Sequence, residues 1–100
     1  MPKSIRESKV EETLRETYEA RGGLCLKFTS PNRVGVPDRL GLDFIPPEHR
    51  AIVAKYFRFI ELKRPGKGIE KGSPQERRHK ELRQLGYRVD VVNTLEGARE

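Results

Sequence analysis

A mixed α/β fold is predicted for this chain by three features of its sequence. Two segments repeat apolar residues at helical spacing, short apolar runs between them have strand character, and glycine or proline separates most of them. The order is helix, strand, strand, strand, helix, strand. A helix between the last two strands predicts a central mixed β-sheet flanked by helices. With 100 residues, one domain over 1–100 with one modest core is expected.

The first helix is expected over Ser4 to Arg21, where Val10, Leu14 and Tyr18 recur at fourth positions and Gly22-Gly23 stops the run. Leu24 to Thr29 reads as a strand with Leu24, Leu26 and Phe28 on one face. Ser30 to Pro37 is a loop by its Pro, Asn and Gly content. A second strand is expected over Asp38 to Ile45, ended by Pro46-Pro47. Glu48 to Lys55 fits either a short helix or an irregular insertion. Tyr56 to Lys63, rich in aromatics, is the strongest strand signal. Arg64 to Ser73 is a loop.

Ser73-Pro74 then opens a helix as N-cap and first helical residue, running to about Leu85 and ending at Gly86. Tyr87 to Val92 is expected to be a strand, completing a right-handed βαβ unit with the Tyr56 strand. A short helix over Leu95 to Glu100 closes the chain.

Composition narrows the function classes. Lys and Arg number 21 against 15 Asp and Glu, a net charge of +6 that favours polyanionic partners such as nucleic acid. Cys25 is the one cysteine, which excludes an internal disulfide and a thiolate zinc cluster. Its apolar neighbours Leu24 and Leu26 predict a buried small hydrophobe. No apolar stretch approaches membrane-spanning length, so a soluble, cytoplasmic protein is expected.

Chemistry concentrates in Phe59-Ile60-Glu61-Leu62-Lys63. Side chains alternate along a strand, so Glu61 and Lys63 share one face and Leu62 points to the other. Asp38 follows Val36-Pro37 at the start of another strand. If those strands pair, Asp38 and Glu61 can converge on one divalent cation, with the Leu62 carbonyl as a further oxygen ligand. Such a donor set suits Mg²⁺ or Mn²⁺. Lys63 is placed to hold water or neutralise charge on a phosphate. Taken singly, Glu-X-Lys is most often an exposed ion pair and Pro-Asp a turn.

Gln75, His79 and Leu82 share a helical face. Gln75 lies at its N-terminal end, where a neutral amide can meet a phosphate oxygen or bound water. His79 is expected on the partly buried flank. Arg33, Arg39, Arg64, Lys67, Lys71 and Arg78 form a candidate rim for a nucleic-acid backbone. Gly66, Gly68 and Gly72 would allow close approach. No helix is patterned to read base edges.

These residues carry a resemblance. Gly35-Val36-Pro37-Asp38-Arg39, Phe59-Ile60-Glu61-Leu62-Lys63-Arg64-Pro65-Gly66, Gln75, Leu82 and Gly86 resemble the virus-type replication-repair nuclease (VRR-NUC) family, a branch of the PD-(D/E)XK nucleases. The similarity runs from about Glu7 to Val92, and includes Gly22 to Phe28. It implies a restriction-endonuclease-like fold and a metal-dependent DNA endonuclease acting in replication, repair or recombination. Asp38 and Glu61 would be the acidic metal ligands, Lys63 the catalytic lysine and Gln75 the glutamine of the following helix. A first-helix glutamate would complete the site, with Glu7 preferred to Glu11 because it lies within the apolar stripe. Branched DNA such as a four-way junction is the implied substrate, and two cuts on a symmetric junction imply a homodimer.

Pro46 to Lys55 is longer than the turn expected at that place, and is a candidate partner surface or substrate loop. The competing readings are a non-catalytic basic nucleic-acid-binding module and a docking subunit of a phage or repair complex.

Overall fold

The structure, a computed structural model, describes residues 6–30 and 32–100. The Ser4 start expected for the first helix lies outside them. The chain contains α1 (Glu7–Ala20), β1 (Leu24–Lys27), β2 (Arg39–Leu42), α2 (Pro47–Tyr56), β3 (Phe59–Leu62), α3 (Pro74–Leu85), β4 (Val89–Val92) and α4 (Leu95–Ala98). It divides into two compact units, Met1–Phe44 and Ile45–Glu100. The architecture is mixed α/β. The two strand directions expected within one sheet are divided between two sheets, antiparallel β1–β2 and parallel β3–β4.

In the first unit, α1 packs against β1. Its closing turn is made by Gly22 N–H donating to Glu19 O and Gly23 N–H to Tyr18 O. The stripe expected to pack is shallow. Val10 stays 56% exposed, Leu14 38%, and α1 has no fully buried residue. Tyr18, half-buried, does the packing: its ring lies where a Cβ on Gly41 of β2 would be. The pairing register sets Leu24 opposite Leu42 and Lys27 opposite Arg39. Cys25 and Leu42 are the buried apolar residues of this pair, so Cys25 is the small hydrophobe expected. Leu24 and Leu26 are half-buried and Phe28 is exposed. Arg21 grips Asp43 through two hydrogen bonds, 2.6 and 3.2 Å, with its guanidinium 4.3 Å over the Tyr18 ring.

The second unit is built on a βαβ unit. β3 and β4 run parallel, with Glu61 opposite Val91. The connection is α3, capped as its sequence dictates. Ser73 Oγ accepts from the Glu76 N–H at 3.1 Å, and Glu76 Oε1 accepts from the Gly72 N–H at 2.9 Å. Gly86 ends the helix in the left-handed region, φ 105°, and the Tyr87 N–H closes back on Leu82 O. Ile45, Leu82, Leu85, Val89 and Val92 are buried, and Phe57, Phe59 and Tyr87 pack edge to face.

Element ends differ from expectation where local chemistry intervenes. Pro47 occupies the first turn of α2, so Pro46-Pro47 opens a helix, and the strand expected to end there has already stopped at Leu42. That helix takes Tyr56, and the strand expected from Tyr56 begins at Phe59. β2 stops at Leu42, where Asp43 is held by Arg21. Asp38 precedes the strand, though its carbonyl still accepts from Phe28 N–H at 2.9 Å. No helix among the described residues is long and apolar enough to cross a membrane.

Arg58 and Arg88 both bind Asp90 Oδ2, at 2.7 and 2.8 Å. The Arg58 hydrogen bond, aided by Arg88 and opposed by burial, holds the Asp90 carboxyl below its ordinary value. A depressed folded pKa stabilises above the unfolded value and is lost as pH falls through the folded one. Urea melts between about pH 5 and pH 2 are therefore expected to show a flatter acid limb for Asp90→Asn than for the native chain. A Cβ on Gly86 would meet Arg50 Nε at 2.5 Å and Ile45 O at 3.0 Å. Gly86→Ala is expected to cost about 2 kcal/mol or more in the same melts.

Candidate active site

β3 and the residue that follows it present Phe59, Glu61 and Lys63 to one face, all half-buried, and Ile60 and Leu62 to the other, 50% and 72% exposed. The shared face of Glu61 and Lys63 is thus the one α3 covers. Lys63 Nζ donates to Gln75 Oε1 at 3.0 Å. One helical turn further, His79 Nε2 stands 3.6 Å from Glu61 Oε1. The second unit therefore brings together Glu61, Lys63, Gln75 and His79.

The backbone adds an acceptor. Phe59 N–H donates to Arg88 O and Lys63 N–H to Val92 O. Odd-numbered residues of β3 face the β4 ladder, so the Leu62 carbonyl is directed away from it. A carboxylate and a carbonyl are hard oxygen donors, chemistry that fits Mg²⁺ or Mn²⁺ better than a softer metal. Among the described residues, neither unit gathers three His, Cys, Asp or Glu side chains into a metal-holding cluster.

Beside Lys63 a cleft of about 690 Å³ is lined by Leu62, Lys63, Arg64, Lys67, Ser73 and Gln75. Its floor is the loop after β3. Asn93, just past β4, pins that loop by donating from Nδ2 to Lys67 O at 2.7 Å. Arg64, Lys67 and Lys71 are exposed on it.

The other sequence-derived residues are placed as follows. Asp38 and Arg33 are exposed in the first unit. Glu7 is exposed in the first turn of α1. Arg39 donates to Glu11 Oε2 at 2.7 Å, so these two engage each other across α1 and β2. Arg78 is paired with Glu81 at 2.6 Å on the outer surface of α3. His79, expected on a flank, is instead buried at 8% exposure. Its spacing of four from Gln75 was the signal, and it became informative once α3 was seen to cross β3. Asn93 had no signal in the sequence.

Comparison with known proteins gives one informative relative. The chain is 40% identical over 91 residues to "Putative nuclease p44" of Acyrthosiphon pisum secondary endosymbiont phage 1, covering 90% of this chain and 85% of the relative. The chain belongs to that protein's family. The aligned span is long enough to take in most of both units, and with them most of the residues described above. No family profile matches the chain. No solved structure matches it either.

The Asn93 bond makes a prediction about the cleft. Asn93→Ala is expected to speed amide exchange in the Arg64–Ser73 loop and to cost about 1 kcal/mol in stability. Hydrogen-exchange mass spectrometry on the native and variant chains checks it.

Proposed function

We propose that this protein is a metal-dependent DNA endonuclease of the VRR-NUC type, with a restriction-endonuclease-like fold and Mg²⁺ or Mn²⁺ as cofactor. The observation that carries the reading is the common face of Glu61 and Lys63, with the Lys63 ammonium held by Gln75. Membership in the family of a protein named a nuclease supports it.

In this reading Glu61 and the Leu62 carbonyl would hold the cation, and Asp38 and Glu7 are the further acids that the VRR-NUC resemblance assigns to it. The cation, when bound, lowers the pKa of water and offsets phosphate charge. Lys63 neutralises charge on the phosphoryl oxygens as the attacking water oxygen bonds to phosphorus and the opposite P–O ester bond breaks. The water proton leaves to solvent and the departing oxygen is protonated in turn. Gln75 accepts from the Lys63 ammonium and fixes its direction without neutralising it. Arg64, Lys67 and Lys71 receive neighbouring phosphates, with Arg33 as a further member of the rim, while Arg39 and Arg78 are engaged by Glu11 and Glu81.

The preferred substrate is branched DNA, above all a four-way junction, because the basic residues are suited to backbone and shape rather than to base edges. A homodimer places two active sites on such a two-fold substrate.

The test is a panel of labelled linear, flap, forked and four-way-junction DNAs with Mg²⁺ or Mn²⁺. Cleavage of the junction is expected to exceed cleavage of the linear duplex. Asp38→Ala, Glu61→Ala and Lys63→Ala are each expected to lower the rate about 100-fold or more, since each removes charge aimed at the transition state. A native chain inert on every substrate, or a Glu61→Ala variant as active as native, overturns the reading. Sedimentation checks the dimer.

A further inference from the structure

We propose that His79 is a positioning residue for the Glu61 carboxylate. This rests on the nuclease reading and deepens it, for it makes α3 the element that orients both charged groups of β3.

The first ground is burial. His79 is 8% exposed, the buried polar residue among the described ones. A buried imidazole costs free energy unless its nitrogens have polar company. Leu82 and Leu85 show that apolar residues suit this helix face. The polar company of His79 Nε2 is Glu61 Oε1, at 3.6 Å. That distance is a polar contact, longer than a hydrogen bond.

The second ground is register. Glu61 and Lys63 are two residues apart on a strand, about 6.6 Å. Gln75 and His79 are four apart on a helix, about 6.0 Å along its axis. The two spacings match, and the pairs meet in opposite order: Lys63 with Gln75, Glu61 with His79. This is the antiparallel crossing of helix over strand that a βαβ unit requires. The contacts therefore form together. Setting Gln75 on Lys63 carries His79 to Glu61.

The third ground is anchorage. One turn beyond His79, Arg83 donates to Val89 O at 2.8 Å, tying α3 to β4. The imidazole is held from both sides along the helix, so it offers Glu61 a fixed neighbour. A carboxylate on three rotatable bonds gains orientation from such a neighbour, and metal-ligating carboxylates depend on partners of this kind. His79 makes or breaks no bond in the reaction.

Three substitutions test this in the full chain: His79→Leu, His79→Gln and His79→Asn. The glutamine amide nitrogen falls near the place of Nε2, while that of asparagine is too short to reach Glu61. Cleavage of a four-way junction and calorimetric titration with Mn²⁺ are measured, with thermal melts to verify folding. His79→Leu and His79→Asn are expected to lower kcat and weaken Mn²⁺ binding about tenfold or more, with KM for DNA within about twofold of native. His79→Gln is expected to recover most of both.

If His79→Leu unfolds, the Gln and Asn pair carries the comparison. Folded Leu or Asn variants with native kcat and Mn²⁺ affinity overturn the role of His79 and leave the nuclease reading standing. So does a folded Gln variant as impaired as Asn. A native chain that neither cuts nor binds Mn²⁺ overturns both.

Discussion

The arrangement of the second unit depends on one geometric constraint, the commensurate repeat of a helix crossing a strand. Four residues of α3 and two residues of β3 advance by nearly the same distance. A single rigid crossing can therefore satisfy two polar contacts, Lys63 with Gln75 and Glu61 with His79. Devices around it hold the crossing in place. The caps made by Ser73 and Glu76 fix where α3 starts, and Gly86 fixes where it stops. The parallel β3–β4 ladder sets the height of Glu61, opposite Val91. A slip of one residue in that ladder would turn Glu61 and Lys63 to the other face. The polar contacts are individually modest, and it is apolar burial at Leu82, Leu85 and Val89 that makes the crossing stable.

Charge is distributed in a way that net charge conceals. The chain carries +6 overall, but several arginines are occupied by acids within their own unit: Arg21 by Asp43, Arg39 by Glu11, Arg58 and Arg88 by Asp90, Arg78 by Glu81. The more exposed of these, Arg21–Asp43 and Arg78–Glu81, contribute little to stability. Their effect is to lower the local field. The loop after β3 is different, since Arg64 and Lys67 line the cleft beside Lys63 and outnumber the one acid there, Glu70, and Lys71 is exposed in the same loop. The cleft beside Lys63 thus carries a local excess of positive side chains, which favours a polyanion.

Helix α3 was legible almost residue for residue, because Ser73-Pro74, Leu82, Leu85 and Gly86 are local signals acting within a few residues. The common face of Glu61 and Lys63 followed from strand alternation alone. What sequence could not supply was nonlocal. Tyr56 has strand propensity, yet Pro47 starts a helix whose length carries it through Tyr56. Strand partners depend on where α2 ends, so one mixed sheet could not be told from two smaller sheets. His79 looked like a flank residue because helical angle gives a face but not its burial. Only the crossing over β3 decides that, and the same holds for Asn93, whose partner is a backbone carbonyl far away in sequence.

The first unit shows how an ion pair can decide between equivalent candidates. Glu7 and Glu11 lie on neighbouring parts of one helix, and spacing favours Glu7 only slightly as a ligand-bearing acid. Arg39 separates them. It takes Glu11 Oε2 at 2.7 Å with side chains 24% and 42% exposed, a partly shielded charge-assisted bond. Releasing Glu11 to a cation would leave the Arg39 guanidinium without its acid, a cost that grows with shielding. Glu7 carries no such penalty, being exposed in the first turn, where the helix dipole favours an acid. The bond that makes Arg39 a brace between α1 and β2 also withdraws it from the phosphate-binding set. Glu11 and Arg39 thus brace α1 on β2, and Glu7 is the less constrained of the two acids.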